Sequence, residues 1–323
     1  MAKRAKPSSK GPLSTPDTGT SADGSARSAV WQPEALISRF KCQPVECGLY
    51  VVATPIGNLM DITLRALDVL AQADLVVCED TRVTGKLLSH FGLRVPMTAY
   101  TDHSAATVRP KILAALAEGK AVVLVSDAGT PLISDPGYKL VEACLAENIR
   151  VIPVPGASAL LSALVSAGLP TDRVLFAGFL PAKAKARRDA IAGLASVDAT
   201  LVTYETGPRL AAALADMAAT LGPRPAAVTR ELTKLHEEIR RGTLATLAAA
   251  FAEGGAPKGE LVIVTGPPQE VDAPTAGDLD AALRTAMETM SVRDAAAAVA
   301  AASGAAKRDV YARALALKAD GAD

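Results

Sequence analysis

The segment AVVLVSDAGTPLI, residues 121–133, constrains the fold more than any other part of the chain. Its first five residues are apolar and rich in β-branched side chains, which predicts a buried strand, and the small turn-forming residues that follow end that strand abruptly. Such a loop exposes backbone N–H and C=O groups with little side chain in front of them. In open α/β sheets, flat ligands with polar edges, adenosine among them, often bind at the carboxyl ends of strands. Taken alone, the segment fits an ordinary strand-to-helix connection better.

Strand and helix patterns alternate on both sides of this segment. Apolar runs at 49–53, 75–78, 121–125 and 150–154 predict strands. The stretches between them have the apolar spacing of helices, and Asp61 is placed to cap the first of these. The alternation predicts an α/β domain over residues 47–170, with a mainly parallel sheet covered by helices.

The second half of the chain predicts a different sheet. Strands are expected at 200–204, 226–230 and 260–266, and LHEEIRRG (235–242) alternates as a half-exposed strand would. Adjacent strands mixed with helices predict a second α/β domain over 171–268, with antiparallel pairs. A linker and an Ala-rich helical module follow at 269–323, whereas the Ser-, Gly-, Pro- and Lys-rich residues 1–46 predict a disordered tail.

Composition narrows the class of protein. Half of the 323 residues are hydrophobic, and the 34 basic residues balance the 34 acidic ones, so any nucleic-acid site must be a local patch. No apolar run approaches the roughly 20 residues that cross a bilayer, and no secretory signal is recognisable. Cys42, Cys47, Cys78 and Cys144 form no close pair, so we expect free thiols and a soluble, cytoplasmic protein.

Several long motifs follow one another over residues 48–266: LYVVATPIGNLMDITLRAL, CEDTR, VSDAGTPLISDPGYKLV, PVPGASALLSAL, GLPTDR, FAGFLP and RELTKLHEEIRRGTL. In this order they resemble the tetrapyrrole methylase family of class III methyltransferases, and within it the enzymes that methylate a cytidine 2′-oxygen of 16S ribosomal RNA. The tail SVRDAAAAVAAASGAAKRDVYARALAL resembles the C-terminal helical module of those enzymes. SDAGTPLISDPG is the most specific of these motifs.

The resemblance implies a two-domain fold that binds S-adenosylmethionine in the cleft between the domains, no metal ion, and a homodimer. It implies that the substrate is small-subunit ribosomal RNA, methylated at the decoding centre. By motif alignment it places the cofactor contacts on Pro55, Ala128, Gly129, Thr130, Ile133, Ser158, Ala159, Glu205 and Leu232. Small residues among these would let backbone atoms reach the cofactor, and Glu205 could stabilise the sulfonium or the ribose hydroxyls. For Pro55 and Ala159 plain packing explains the residue nearly as well.

Methylation of a ribose hydroxyl benefits from a base or a cation beside the developing alkoxide. Asp80 and Arg82, after a strand end, are one candidate pair, although a helix cap with a salt bridge explains Asp80 equally well. His103 in a polar loop is the second candidate, because the ordinary pKa of histidine lies near neutrality. The sequence does not choose the base among these groups.

Basic residues provide candidates for RNA binding. Lys183, Lys185, Arg187 and Arg188 form a run that could follow backbone phosphates or could be a solvated helix face, and Arg230 and Lys234 could grip phosphate near the cofactor. One motif departs from the family pattern: where the family usually carries a histidine after strand 200–204, this chain has Pro208, preceded by Gly207. This chain therefore has no histidine at this position that could take part in catalysis, or its loop binds differently.

Two other functions remain open at this point. A methyltransferase of the same fold could act on a tetrapyrrole or another small acceptor, but RELTK, the basic run and the helical tail are features that a small ring does not require. A protein that binds RNA or ribosomes without turnover is the third possibility, and the intact SDAGTP and PGASA loops argue against it.

Overall fold

The computed structural model describes residues 44–101, 103–268 and 275–320, all within one compact unit that spans Pro44–Asp323. The predicted disordered tail, up to residue 43, and the centre of the predicted linker lie outside the described residues. None of the described helices is both long enough and apolar enough to cross a membrane. Cys47, Cys78 and Cys144 are free thiols, as expected, and Cys42 lies outside the described residues.

The first sheet has five parallel strands in the order β3-β2-β4-β1-β5. Its strands are β1 (Gly48–Val52), β2 (Leu75–Cys78), β3 (Met97–Ala99), β4 (Ala121–Leu124) and β5 (Val151–Val154). All four residues of the central strand β4 are buried, as an apolar run without alternation predicts for a sheet covered on both faces. The segment 121–133 therefore begins with the central strand of this sheet.

Four helices cover the two faces of the first sheet. They are α1 (Leu64–Gln72), α2 (Thr81–His90), α3 (Ala105–Ala117) and α4 (Tyr138–Ala146). Leu70 and Leu88 of α1 and α2 pack in one apolar cluster with Val52 and Val123, whereas Ile112 and Leu140 of α3 and α4 pack in another on the opposite face. The strands β1, β2, β4 and β5 thus present apolar side chains to helices on both sides.

The second sheet is mixed, in the order β6-β7-β10-β8-β9. Its strands are β6 (Val174–Phe179), β7 (Thr200–Thr206), β8 (Pro225–Arg230), β9 (Glu238–Thr243) and β10 (Glu260–Thr265). Only β6 and β7 run parallel; the other pairs are antiparallel. The amino end of β10 therefore lies beside the carboxyl end of β7. The predicted α/β fold with one parallel and one mixed sheet is confirmed.

Helices cover both faces of this sheet as well. Helices α6 (Ala184–Gly193), α7 (Gly207–Leu221) and α8 (Leu244–Glu253) bury one face. The other face is covered by α5 (Ala159–Ala167), which follows the last strand of the first sheet. Its buried Leu164 shares a cluster with Val202 and Val262 of the second sheet and with Ile56 of the first domain, so this cluster joins the two sheets.

Three further helices, α9 (Ala276–Met287), α10 (Val292–Ser303) and α11 (Lys307–Asp320), form the predicted helical module. Leu283, Val299 and Val310 pack in its own apolar cluster. The small alanines of α10, buried between its neighbours, allow close packing of these helices.

Several details of the sequence prediction differ from the structure, and one of them is the strand β6, which was not predicted. Asp61 does not cap α1: it ends a 3₁₀ turn, Leu59–Asp61, and the Thr63 side chain caps α1 instead. The three-residue strand β3 and the helix α8 were not predicted. The expected strand at 235–242 begins only at Glu238, because residues 231–237 form a loop in which Glu231 and Thr233 have positive φ (49° and 66°) and Leu235 is 92% exposed.

Candidate active site

A cleft of about 280 Å³ opens where the carboxyl ends of strands from both sheets meet. Its walls come from the loop after β1, the loop after β4, the start of α5, the ends of β6 and β7, and the start of β10. The lining residues are Ile56, Asp127, Ala128, Gly129, Thr130, Ile133, Ser134, Asp135, Ser158, Ala159, Phe179, Tyr204, Glu205, Thr206, Gly259, Glu260, Leu261 and Val262. The cleft thus combines loops of both sheets, as expected for a ligand site in an α/β fold.

The loop after β4 is fixed against the loop after β1. The backbone N–H of Thr54 donates to Gly129 O at 2.9 Å, and the N–H of Gly129 donates to Thr54 O at 3.0 Å. The Ser126 hydroxyl donates to the carbonyls of Ala128 and Gly129 at 3.2 and 3.1 Å. Gly129 has φ +81°, a conformation that favours glycine, and an added Cβ would lie 3.1 Å from Cγ2 of Ile56. This explains why the motif has glycine at this position.

The following turn holds its backbone in an uncommon conformation. Leu132 and Ser134 have φ of 74° and 70°, which residues other than glycine rarely adopt. Such residues cluster at functional sites, where the surrounding structure holds them in place. Here they orient Ile133 and Asp135, both of which line the cleft.

The PGASA motif places the first residues of α5 in the cleft wall. Ser158 is the N-cap of α5, and its hydroxyl accepts from the N–H of Leu161 at 3.4 Å. The Thr130 hydroxyl donates to the carbonyl of Ala157 at 3.1 Å and so connects this motif to the loop after β4. Ser158 and Ala159 therefore line the same cleft as Thr130.

Glu205 is a buried carboxylate in the cleft wall. One oxygen, Oε1, accepts from the N–H of Thr206 at 2.8 Å and lies 3.1 Å from Nε of Arg209. The other oxygen, Oε2, is buried and has no hydrogen-bond partner among the described residues. A buried polar atom without a partner is costly in free energy, so a ligand that donates to Oε2 would satisfy it.

The lining of the cleft is acidic. Asp127, Asp135, Glu205 and Glu260 all line it, and no lysine, arginine or histidine is among the described lining residues. Burial raises the pKa of Asp127, and burial together with the neighbouring charge of Glu79 raises the pKa of Asp135 to about 6. Glu205 lies beside Arg209 and Glu260 beside Lys234, but neither cation lines the cleft, and a lining of four carboxylates favours a positively charged ligand.

The predicted catalytic candidates lie outside this lining. Asp80 caps α2, accepting from the N–H of Arg82 at 2.8 Å, and pairs with the Arg82 guanidinium at 2.6 Å. These bonds lower the pKa of Asp80 to about 2, which makes it a weak base. Its backbone N–H donates to Oδ1 of Asp127 at 3.1 Å, so Asp80 adjoins the cleft without lining it. His103 is exposed, just before α3, and is not a lining residue.

The predicted cofactor contacts divide into two groups. Those of the loop after β4, of PGASA and of strand β7 line the cleft: Ala128, Gly129, Thr130, Ile133, Ser158, Ala159 and Glu205. Pro55 and Leu232 are buried and do not line it. Leu232 packs in one cluster with Ile56 and Val262, which do, so it supports the cleft wall from behind.

The predicted RNA-binding residues have different surroundings. Lys183, Lys185 and Arg188 are exposed at the start of α6, whereas Arg187 is buried and pairs with Asp216 at 2.7 Å. Because its guanidinium holds α6 against α7, we leave Arg187 out of the RNA surface. Arg230 pairs with Glu238 at 3.3 Å, and Lys234 pairs with Glu231 at 2.9 Å and with Glu260 of the cleft at 3.3 Å.

Sequence reasoning missed several residues of the cleft. Asp135 lies in the SDAGTPLISDPG motif, Tyr204 precedes Glu205 within β7, and Glu260 begins β10. Tyr204 contacts Phe176 and Phe179 edge to face, with ring centroids 4.9 and 5.5 Å apart. Of these residues only Asp135 belongs to a motif that the sequence marks as part of a site. Tyr204 and Glu260 come to the cleft through the pairing of β7 with β10, which the sequence does not show.

A family model described as Tetrapyrrole (Corrin/Porphyrin) Methylases matches residues 48–248. This chain belongs to the tetrapyrrole methylase family. The methyl donor of these methylases is S-adenosylmethionine, as the sequence predicted. A second model, described as RsmI C-terminal HTH domain, matches residues 273–318, the range of the helical module.

Relatives of this tetrapyrrole methylase carry more specific names. Proteins from Mesorhizobium japonicum and Erythrobacter litoralis, both named ribosomal RNA small subunit methyltransferase I, are 50% identical over 277 residues and 55% identical over 276 residues. Both alignments cover 85% of this chain, and they cover 94% and 97% of the relatives. The predicted family resemblance is confirmed.

Solved structures show the same fold at low identity. The cobalt precorrin-4 methyltransferase CbiF has a TM-score of 0.52 at 21% identity, covering 68% of this chain and 94% of its own. Diphthine synthase also has a TM-score of 0.52, at 18% identity, covering 68% of this chain and 89% of its own. At this identity the likeness shows the fold alone.

Proposed function

We propose that this methylase transfers a methyl group from S-adenosylmethionine to the ribose 2′-oxygen of a cytidine in small-subunit (16S) ribosomal RNA, at the decoding centre. The acidic cleft with its unpaired Glu205 oxygen is the observation that carries the proposal, because it suits a cationic donor. The names of relatives that align with 85% of the chain supply the class of acceptor.

The cleft residues fit S-adenosylmethionine chemically. Its sulfonium is a cation, which the carboxylates Asp127, Asp135 and Glu260 attract, and a hydroxyl or amino group of the cofactor can donate to Oε2 of Glu205. Gly129 and Ala128 leave the backbone open to close approach. When bound, the cofactor supplies an activated methyl group, and the protein positions it for attack.

The charge of the cleft also restricts how RNA binds. Phosphates are repelled by the four carboxylates, so only the reacting nucleoside enters, and the backbone contacts basic residues outside. Phe179 lines the cleft, is 52% exposed, and can stack on a base. Lys183 follows it by four residues, and the exposed cations at the start of α6 could pair with the RNA backbone outside the cleft.

A tetrapyrrole acceptor fits this cleft less well. Tetrapyrrole precursors carry several carboxylates around the ring, and the described lining offers no cation to pair with them. The same-fold alternative therefore requires a basic surface beyond the cleft lining.

The homodimer remains part of the proposal. Leu161 and Val165, one turn apart on α5, are 56% and 76% exposed, and such apolar surface is suited to burial against a second copy. Light scattering of the purified protein measures its mass directly; a monomer would remove this part of the proposal without affecting the reaction.

Methyl transfer from labelled S-adenosylmethionine tests the function with three acceptors: assembled small ribosomal subunits, naked 16S rRNA and a precorrin. We expect label on the ribosomal RNA, and mapping of the modified nucleotide should place it on a cytidine 2′-oxygen. Label on the precorrin alone would contradict the proposal in favour of the tetrapyrrole alternative. If the protein bound S-adenosylmethionine but methylated none of the three acceptors, the result would contradict the proposal and favour a protein that binds RNA or ribosomes without turnover.

A further inference from the structure

The reaction proposed above needs a group that accepts the proton of the attacking 2′-hydroxyl. We propose that Asp135 is this general base. The inference rests on the proposed function, and none of the candidates expected from the sequence fills the role: Asp80 is tied to Arg82, and His103 lies outside the described lining.

The position of Asp135 is set by a rigid turn between the two sheets. Ser134 before it has φ 70°, and Gly137 after it has φ +133° and lies so close to Leu124 that an added Cβ would be 2.9 Å from Cδ2 of that leucine. On the other side, Oγ of Ser134 lies 3.6 Å from the position of a Cβ on Gly178 in β6. The carboxylate is therefore held at the meeting point of both sheets, within the cleft.

The partners of the cleft carboxylates distinguish Asp135 from the other three. Asp127 accepts from the N–H of Asp80, Glu205 accepts from the N–H of Thr206 and lies beside Arg209, and Glu260 pairs with Lys234. Asp135 has no backbone N–H or basic side chain bonded to it among the described residues, and the Ser126 hydroxyl is the one neighbouring group that lowers its pKa. A carboxylate without a bound cation keeps its basicity.

The groups around Asp135 shift the pKa of its carboxyl group towards the value that a general base needs. Burial is the largest cause that raises its pKa to about 6, Glu79 at the end of β2 and Asp127 after β4 act in the same direction, and Ser126 acts in the opposite one. Tyr204 of β7 faces it from the second sheet. A base with a pKa near the working pH is both ionised and able to take a proton. A bound sulfonium would lower this pKa, since a nearby positive charge favours the carboxylate.

The proton and the electrons balance in one displacement. The 2′-oxygen forms a bond to the methyl carbon as its proton passes to a carboxylate oxygen of Asp135. The bond between the methyl carbon and sulfur breaks, and its electron pair stays on sulfur, which leaves neutral S-adenosylhomocysteine. Asp135 then returns its proton to water when the product leaves.

Asp135→Asn tests the proposal, because it keeps the shape of the side chain and removes the base. Glu142→Gln, at an exposed carboxylate of α4, is the matched control. Single-turnover methyl transfer to small subunits is measured from pH 5 to 9, and binding of S-adenosylmethionine by calorimetry. We expect the wild type and the control to lose rate about tenfold per pH unit below the pKa of the base, and Asp135→Asn to be slower by roughly 10²–10⁴-fold without that pH dependence.

A spectroscopic measurement tests the carboxyl group independently of activity. With ¹³C-labelled aspartate, the NMR spectrum of the wild type should contain a carboxyl resonance that titrates near pH 6 and is absent from the Asp135→Asn spectrum. Melting curves of the variant show whether it is folded.

The possible outcomes distinguish a failure of Asp135 as the general base from a failure of the proposed function. Wild-type transfer to RNA with full rate in a folded Asp135→Asn variant would overturn Asp135 as the base and leave the function intact. A variant whose only defect is weaker binding of S-adenosylmethionine would also overturn it, because Asp135 would then hold the cofactor. Absence of transfer to RNA by the wild type would overturn the proposed function and this inference with it.

Discussion

Asp80 and Asp135 show how the same side chain acquires opposite properties from its neighbours. The Arg82 side chain lowers the pKa of Asp80 to about 2, whereas burial raises that of Asp135 to about 6. The sequence places Asp80 after a strand end and Asp135 in a turn, but it shows neither the guanidinium nor the desolvation. The sequence left the base open among several groups, and the structure adds that Asp80 already accepts from a helix N-terminus and pairs with a cation.

The raised pKa of Asp135 predicts a stability effect with a definite sign. Its folded value lies above that of the unfolded chain, so the folded protein binds the extra proton and this carboxylate destabilises folding as the pH rises through the interval from 3.8 to about 6. At pH 7.5 we expect the free energy of unfolding of Asp135→Asn to exceed that of the wild type by about 1 kcal/mol, a value reduced to allow for solvent screening of the half-exposed side chain. Urea unfolding measures the difference.

The pH dependence checks the cause of that effect. The advantage of the variant should disappear below pH 4, where the carboxyl is protonated in both states, and Glu142→Gln should show no such trend. A variant that is less stable than the wild type at pH 7.5 would mean that the ionised carboxylate makes a favourable interaction in the folded protein.

At the scale of elements, Gly207 explains the departure from the family pattern at the start of α7. A Cβ on Gly207 would lie 1.7 Å from the carbonyl oxygen of Pro257, so the chain before β10 packs directly on this backbone. Pro208 follows in the first turn of α7, where proline is tolerated. The pair Gly207–Pro208 thus makes room for the loop that leads to Gly259 and Glu260 in the cleft.

Gly207→Ala is therefore expected to displace that loop. We predict a loss of about 1–3 kcal/mol in the free energy of unfolding, as for other overpacked sites, and weaker binding of S-adenosylmethionine. Gly193→Ala is the matched control, because Gly193 ends α6 and an added Cβ there meets nothing within 4 Å. Thermal melting and calorimetry measure both effects. If the two variants had the same stability and the same affinity for S-adenosylmethionine, the loop before β10 would be able to move away from α7 with little loss of free energy.

Most elements of both sheets could be predicted, and the exceptions have physical reasons. β4 is an unbroken apolar run and α5 has helical spacing bounded by Ser158 and Gly168, so both are evident from the sequence. The strand Met97–Ala99 is too short to show a period. The helix α8 was not predicted although it carries local signals, namely the Thr243–Thr246 capping box and apolar residues at helical spacing, Leu244, Leu247 and Phe251.

At the scale of the whole molecule, the site depends on contacts that no local pattern encodes. Ile56, Ser158, Glu205 and Val262 line one cleft although they lie far apart in the chain, because α5 crosses from the first sheet to cover the second. Motif alignment supplied the loops around Gly129 and Ser158. It also included Leu232, which lies behind the wall, since family motifs mark packing and binding residues alike.

Charge at this scale predicts how RNA binding depends on salt. The chain has 34 basic and 34 acidic residues, so attraction to phosphate must come from a local patch. Lys183, Lys185 and Arg188 are exposed at the start of α6, whereas Arg187 in the same run is buried and pairs with Asp216. Sequence alone gives four equivalent cations; the packing of α6 on α7 removes one of them.

Replacing Lys183, Lys185 and Arg188 together by alanine should weaken binding to 16S rRNA and reduce the slope of log affinity against log salt by about 2–3, since each phosphate contact contributes about 0.7–0.9. Binding of S-adenosylmethionine should not change, because none of the three lines the cleft. Lys120→Ala is the control. Lys120 directly precedes the central strand β4, at the amino ends of the strands and so opposite the cleft, and it pairs with Glu118. Filter binding between 50 and 200 mM salt gives the slopes, the range over which phosphate contacts dominate the change. An unchanged slope would identify the run as a solvated helix face, and the phosphate contacts would then have to come from Arg230, Lys234 or the helical module.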